Sequence, residues 1–302
     1  MDKGVLRYVR MSVSAIESVA AMEAARNEMG GVVGLVPTMG YLHEGHLSLV
    51  RRARADCDTV IVSIFVNPTQ FGPGEDLERY PRDTERDLRL LEEAGVDIVF
   101  APPVDEMYPP GFDNWVEVTG PLTERLEGAA RPGHFRGVTT VVARLFRIVR
   151  PDRAYFGQKD AQQLRVIRRM VQQEGLPVTI VPMPIVREED GLAMSSRNVY
   201  LSAEERSAAL ALSGALRHAR RMVREDGVTD TTFVKLAVHR ILQQQPAVQV
   251  EYVSVSDEET LEEMTSIDRP AMVLLAAKVG STRLIDNVVV APKGMALPEE
   301  LV

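Results

Sequence analysis

The feature that most constrains this chain is a repeated alternation: short apolar runs of strand length, each followed by a turn and then by an amphipathic stretch of helical period. Gly31 to Pro37 (GVVGLVP) reads as a buried strand; the turn-prone TMGYLHEG and a helical pattern from His46 to Arg54 follow it. Val60 to Val66 is again strand-like. Asp83 to Ala94 carries Leu88, Leu91 and Ala94 at helical spacing, and Asp97 to Phe100 returns as a strand after the stop signal Gly95. The same rhythm predicts a helix from Val138 to Arg150, a strand from Arg153 to Phe156, a helix from Ala161 to Glu174 and a strand from Val178 to Val181. Such alternation predicts an α/β fold with a doubly wound parallel sheet, whose ligands sit at the carboxyl ends of the strands.

After Val186 the texture changes. A polar stretch, REEDGLAMSSRN, precedes the capping-box pattern Ser202-Ala203-Glu204-Glu205 and a long alanine-rich helix. A second helix, Thr231 to Gln244, and strand-like runs at Val248 to Ser254, Ala271 to Ala277 and Arg283 to Val290 complete a smaller α+β unit. The expected division is therefore residues 1–186 and 187–302. Neither an internal repeat nor a heptad array is present.

With 302 residues and 45% hydrophobic content the chain can build a full core. MDKGVLRYVR contains no apolar leader segment, and no run of about 18 apolar residues occurs, so a cytoplasmic protein without a membrane span is expected. The single cysteine, Cys57, excludes an intrachain disulfide and a thiolate zinc site, and reads as a packing residue. A formal net charge of −8 disfavours nucleic-acid binding, which needs clustered positive charge. An anionic ligand must then find a local basic site. Lysine is scarce, and of Lys3, Lys159, Lys235, Lys278 and Lys293 only Lys159 lies among dense motif residues.

Chemistry-bearing residues cluster in the turns after strands. Pro37 to His46 (PTMGYLHEGH) lies between a strand and a helix, where unpaired N–H groups and the dipole favour phosphate and where His43 and His46 add donors. Gly45 between them would admit a flat base close to the backbone. The same spacing also fits two solvated histidines or, weakly, a metal pair. Asn67 and Gln70 in FVNPTQF offer neutral amides for hydroxyl and carboxylate oxygens, or mark an ordinary Asn-Pro turn. In Gly157-Gln158-Lys159-Asp160-Ala161-Gln162-Gln163 an ammonium group meets a helix N-terminus, with Asp160 also suited to cap the helix. Met194-Ser195-Ser196-Arg197 places hydroxyls beside a guanidinium just past the domain boundary, as in a lid over outer phosphates or in a surface loop. RPGHFRGV, Arg131 to Val138, is either an anion-contacting loop or a turn before a helix. No GxxxxGK[ST], GxSxG or GxGxxG sequence occurs, which removes the usual signals of P-loop, α/β-hydrolase and dinucleotide chemistry.

Taken in order, PTMGYLHEGH, FVNPTQF, RYPRD, RPGHFRGV, GQKDAQQ, DGLAMSSRNVYLS and GSTRLIDN resemble the pantothenate synthetase (pantoate–β-alanine ligase) family over most of the chain. The resemblance implies an N-terminal Rossmann-like domain of the HxGH nucleotidyltransferase type, a small C-terminal domain and a homodimer. It implies ATP-dependent joining of pantoate to β-alanine through a pantoyl adenylate. His43, His46 and Lys159 match the catalytic positions, His46 the proton donor among them. Met39, Gly40, Tyr41, Leu42, His43, Glu44, Gly45 and His46 match the ATP-binding loop; Gly157, Gln158, Lys159, Asp160, Val186, Met194, Ser195, Ser196 and Arg197 match the remaining nucleotide contacts. Gln158 stands where the family often has Glu. Gln70 matches the position shared by pantoate and β-alanine, Gln163 a pantoate position, and Asn67 lies beside them. Mg²⁺ is implied together with ATP, and Asp87, in the helix after RYPRD, is the candidate to hold it directly or through water. Related readings are another adenylyltransferase with the same HxGH logic, weakened for a tRNA enzyme by the acidic charge, and a non-catalytic nucleotide-binding regulator, weakened by intact His46 and Lys159.

Overall fold

The computed structural model describes residues 13–297; the stretch MDKGVLRYVR lies outside the described residues. Six strands, β1 (Ser14–Ile16), β2 (Val33–Thr38), β3 (Thr59–Ile64), β4 (Ile98–Phe100), β5 (Arg153–Gly157) and β6 (Thr179–Met183), form one sheet in the order β1-β4-β3-β2-β5-β6. Every neighbouring pair in it is parallel. The chain winds outward from β2 through β3 and β4, then crosses back to β5 and β6, so the order reverses between β2 and β5. At that reversal the turns leaving two adjacent strands diverge and open a crevice.

Helices cover both faces, as near-continuous apolar strands require. On one face α1 (Val19–Glu28), α7 (His134–Val149) and α8 (Ala161–Gln173) bury Met22, Val138, Phe146 and Ile167 against Leu35, Ile61 and Phe156. On the other, α2 (Glu44–Asp56) and α3 (Thr84–Glu93) set Leu49, Val50 and Leu91 against Val36, Val62 and Tyr155. Cys57 packs in this second layer, its Sγ 3.3 Å from the Tyr155 hydroxyl. One-turn helices α4 (Val104–Met107), α5 (Pro121–Glu124) and α6 (Glu127–Ala130) punctuate the connection from β4 to α7.

Beyond β6 the chain builds a three-stranded antiparallel sheet, β7 (Val248–Asp257), β8 (Ala271–Val279) and β9 (Thr282–Val290), on α9 (Ala203–Arg224) and α10 (Thr231–Gln243). The predicted capping box opens α9: the Ser202 hydroxyl accepts from Glu205 N, and the Glu205 carboxylate accepts from Ser202 N. One sheet face packs on the two helices. The other sets Met272, Leu274 and Val289 against Ala161, the first residue of α8. Asn287 on β9 extends that contact, its Nδ2 donating to the carbonyls of Gln158 (2.9 Å) and Lys159 (3.0 Å).

The predicted strands and long helices form, with ends shifted by a few residues, except that α7 begins a full turn before its predicted start at Val138. β1 and α1 went unpredicted. β1 has three residues and depends on its pairing with β4, and α1 buries only Met22. No helix among the described residues is long and apolar enough to cross a membrane.

Candidate active site

A cavity of about 240 Å³ lies where the turns after β2 and β5 diverge, and it opens into a cleft of about 710 Å³ beneath the β8–β9 hairpin. The turn after β2 is held open by backbone geometry. Gly40 and Tyr41 take positive φ of 79° and 49°, and the amides of Tyr41 and Leu42 then point together at the Asp87 carboxylate, 2.7 and 2.8 Å away. Asp87 is 1% exposed. Burial raises its pKa from the ordinary carboxylate value, and the two amide bonds work against that rise. Both oxygens are committed to the turn and the side chain does not line the cavity. Asp87, the expected magnesium ligand, thus lies off the cavity wall and clamps the turn after β2.

His43 is the N-cap of α2. Its Nδ1 accepts from Gly45 N at 3.1 Å, while His46 Nδ1 faces His43 N at 3.3 Å, and the two rings lie 4.0 Å apart. A histidine capping box results. Because both Nδ1 atoms accept, each neutral ring carries its proton on Nε2 and keeps that N–H as a donor. Burial, assisted by the Lys159 charge, pushes His43 down to about 4. Burial, with His43 and Lys159 beside it, holds His46 well below the ordinary histidine value. Gly45 has a nearer reason than base approach: a Cβ there would come within 2.8 Å of the His43 ring that caps it.

From the other side of the crevice Gly157, Lys159, Asp160 and, on the first turn of α8, Gln163 line the cavity. Among the described residues the Lys159 ammonium has one loose ion pair, 3.5 Å from Asp160. Gln158 is buried, and Gln162, next to Gln163, is spent on structure, accepting from Glu127 N and donating to the carbonyls of Leu122 and Arg125.

The turn after β3 brings Asn67 and Gln70 to the cavity wall. Asn67 is 1% exposed; its Oδ1 accepts from Thr69 and Tyr108, and its Nδ2 donates to Gly137 O (3.2 Å) and Gln70 Oε1 (3.1 Å). Asn67, expected at the substrate, lines the cavity and also orients Gln70, whose Nε2 faces Met39 Sδ at 3.1 Å.

Val186, Met194, Ser195, Ser196 and Arg197 cover the cavity from the C-terminal side. Ser196 Oγ donates to Tyr41 O (3.1 Å), and Ser195 Oγ accepts from Arg197 N. Arg197 grips Asp76 through Nε and Nη2, both 2.8 Å, over the Tyr80 ring. Asp76 is held below the ordinary carboxylate range by that guanidinium, against the opposing effect of burial. Four members of the expected ATP loop stay off the cavity wall, among them Tyr41, buried Leu42, and Glu44, which pairs with Arg51. Gly40 is likewise absent from the wall and serves the turn.

Sequence reasoning missed the cavity's apolar wall, where Val138, Val141, Val142 and Leu145 of α7 meet Phe156. Their i, i+3, i+4, i+7 spacing was visible, but it is the signature of any core-facing helix. It also missed Asp76 and Tyr80, which flank Arg197.

Residues 11–289 match the family model described as pantoate-beta-alanine ligase. A pantothenate synthetase from Roseiflexus sp. (strain RS-1) is 58% identical over 91% of this chain and 98% of its own length, and one from Acetivibrio thermocellus is 56% identical over 92% and 98%. The crystal structure of pantothenate synthetase from Thermus thermophilus superposes with a TM-score of 0.89 at 52% identity, covering 93% of this chain and 100% of that one. That of a pantoate-beta-alanine ligase from Francisella tularensis, complexed with beta-gamma ATP and beta-alanine, superposes with a TM-score of 0.77 at 31% identity, over 92% and 97%. With matches of this identity spanning nearly its whole length, the chain belongs to the pantoate–β-alanine ligase family.

Proposed function

We propose that this ligase makes pantothenate in two steps, through a pantoyl adenylate, with AMP and pyrophosphate as the other products. Membership of the family makes it an enzyme that joins pantoate to β-alanine using ATP. The intermediate is what the family resemblance implies, and the geometry supports the work of each residue.

The observation that carries the reading is the convergence of two Nε2–H donors, a helix N-terminus and the Lys159 ammonium beside a recess with one apolar wall and two amides. Pantoate has a carboxylate, two hydroxyls and a gem-dimethyl carbon. The wall of α7 suits the methyl groups, and Gln70 and Gln163 suit the oxygens. In the first step a pantoate carboxylate oxygen bonds to the α-phosphorus and the bond to pyrophosphate breaks. Charge grows on phosphoryl oxygens, and His43, His46 and Lys159 are fixed in advance to receive it. In the second step the β-alanine nitrogen bonds to the acyl carbon, the acyl–oxygen bond to AMP breaks, and the amine proton is lost to water. Neither step needs a covalent enzyme intermediate, in keeping with a Cys57 thiol packed in the core.

Ser195, Ser196 and Arg197 cover the outer phosphates in this reading, and Arg197 reaches them by exchanging Asp76 for the ligand. Magnesium enters as part of the ATP substrate: among the described residues no group of three or more His, Cys, Asp or Glu side chains gathers to hold an ion. The division into a nucleotide-binding unit, residues 1–186, and a lid, residues 187–302, is supported by separate cores that end near Met183 and begin at Leu192. A cytoplasmic homodimer belongs to the same proposal, with sedimentation equilibrium as its check.

Pantoate without β-alanine should support exchange of labelled pyrophosphate into ATP, and each amide bond should be accompanied by AMP. Release of ADP and phosphate would establish an acyl-phosphate route and end the adenylate reading.

A further inference from the structure

Of the RPGHFRGV segment the mechanism above uses only Val138, yet Arg131 and the buried His134 also line the cavity, and His134 is pressed against the turn that carries Gln70. His134 opens α7 after Gly133. Its Nδ1 lies 2.8 Å from the main-chain oxygen of Gln70, and its Nε2 lies 3.1 Å from Nη1 of Arg131. Arginine only donates, so Nε2 must be the acceptor. The ring proton is then on Nδ1, and it is donated to the Gln70 carbonyl.

Arg131 is itself fixed, donating through Nε and Nη2 to the two oxygens of Glu75, both at 2.7 Å, and lying 4.0 Å from Glu127. A second donor, Arg131 Nη2, approaches the same Gln70 carbonyl at 3.3 Å. Burial first, then the Arg131 charge, pushes His134 down to about 4, against the opposing pull of Glu127 and Glu75, so the neutral ring is the resting form. One turn further along α7, Gly137 meets the loop backbone to backbone: its carbonyl accepts from Asn67 Nδ2, and a Cβ on it would lie 2.2 Å from Thr69 O.

We propose that His134, set in its Nδ1–H tautomer by Arg131, is a positioning residue that fixes the Gln70 loop, so that productive binding of pantoate depends on a side chain that need not touch it. The inference rests on the proposed role of Gln70 as a pantoate contact. Its counterpart histidines carry the opposite tautomer: His43 and His46 accept at Nδ1 and donate at Nε2, toward phosphate, whereas His134 donates at Nδ1, toward the protein.

Two polar replacements separate positioning from mere packing. In His134→Asn the amide nitrogen takes the place of Nδ1 and restores the donor to Gln70; in His134→Gln the amide takes the place of Nε2, answering Arg131 while leaving the Gln70 carbonyl short of its partner. In steady-state assays of amide formation by the full-length enzyme, His134→Gln should raise the pantoate KM about tenfold, with the ATP KM changed less than about twofold, and His134→Asn should recover most of the loss. Nitrogen shifts of ¹⁵N-labelled enzyme should show His134 protonated at Nδ1. Gln70→Ala, assayed alongside, should raise the pantoate KM at least as much. An unchanged pantoate KM in Gln70→Ala would refute the role assigned to Gln70, and the positioning role with it. A raised value there with both His134 variants unaffected, an Asn variant no better than Gln, or an Nε2–H tautomer at His134 would overturn the positioning role alone.

Discussion

His43 and His46 show how much a single charge decides at this site. Both rings are half-buried, and the Lys159 ammonium adds to the cost of protonating either. In the free enzyme at neutral pH they are therefore neutral donors, and an incoming phosphate, by adding negative charge, is what would favour their protonation. Lys159→Met removes the cation and keeps the bulk. Its ring resonances should titrate at higher pH than in the wild type, because one of the influences lowering both pKa values is gone. The same variant should form adenylate slower by about two or more orders of magnitude, since a preorganised cation at a transferring phosphoryl group acts in the transition state. Histidine titrations unmoved by the substitution would remove Lys159 from the electrostatics of the helix N-terminus.

At the scale of elements, the site is built where α7 presses on the turn after β3 and α2 starts under the turn after β2. Gly137 makes the first contact possible, since its missing Cβ admits Thr69 O. In Gly137→Ala the backbones must part by an ångström or so, which ought to cost about 1–3 kcal/mol of stability, the usual scale of overpacking. Because the displaced turn carries Asn67 and Gln70, pantoate KM should rise while ATP KM stays near its wild-type value. Urea unfolding and initial-rate kinetics check the two halves separately. An alanine enzyme with wild-type stability and wild-type pantoate KM would show that the close approach does not hold the loop. The turn after β2, by contrast, is held by a polar contact, with Asp87 on α3 drawing in the amides of Tyr41 and Leu42.

For the molecule as a whole, buried histidines and paired acids predict a two-stage response to acid. His43, His46 and His134 have folded pKa values below the ordinary 6.5, so between about pH 6.5 and 4 the unfolded chain takes up protons that the native one refuses. Stability must therefore fall as pH is lowered through that window. His134 alone accounts for a loss of about 2 kcal/mol by pH 5, since within the window a proton held by the unfolded chain only is worth about 1.4 kcal/mol per pH unit. Glu75, Asp76 and Glu127, each held below its ordinary value by an arginine partner against the opposing effect of burial, add a second loss as pH falls below about 4.5. Asp87, raised by burial, has the opposite sign and softens that second loss. Thermal melts from pH 7 to 5 should show the first decline in the wild type and a shallower one in His134→Asn. Equal slopes would mean that His134 is not buried in its neutral form.

Period-2 and period-3.6 patterning, with glycine and proline punctuation, was enough to order the strands and helices, because burial on both sheet faces demands apolar runs and each turn needs its own residue types. The stations of the site were equally legible: PTMGYLHEGH, FVNPTQF and GQKDAQQ each follow a strand, and parallel topology brings strand ends together. Within those stations the sequence could not separate the residues that face ligand from those that hold the frame. Gln162 and Gln163 are neighbours, yet Gln162 closes the α5–α6 turn and Gln163 lines the cavity, because successive helix positions point about 100° apart. Asp87 reads as a free acid until folding places it against amides 46 and 45 residues earlier in the chain, and nothing local to Arg197 shows that it pairs with Asp76, 121 residues away. Hydrogen bonds and ion pairs act over a few ångströms in space and carry no sequence period, so only the tertiary structure decides which partner each polar side chain has.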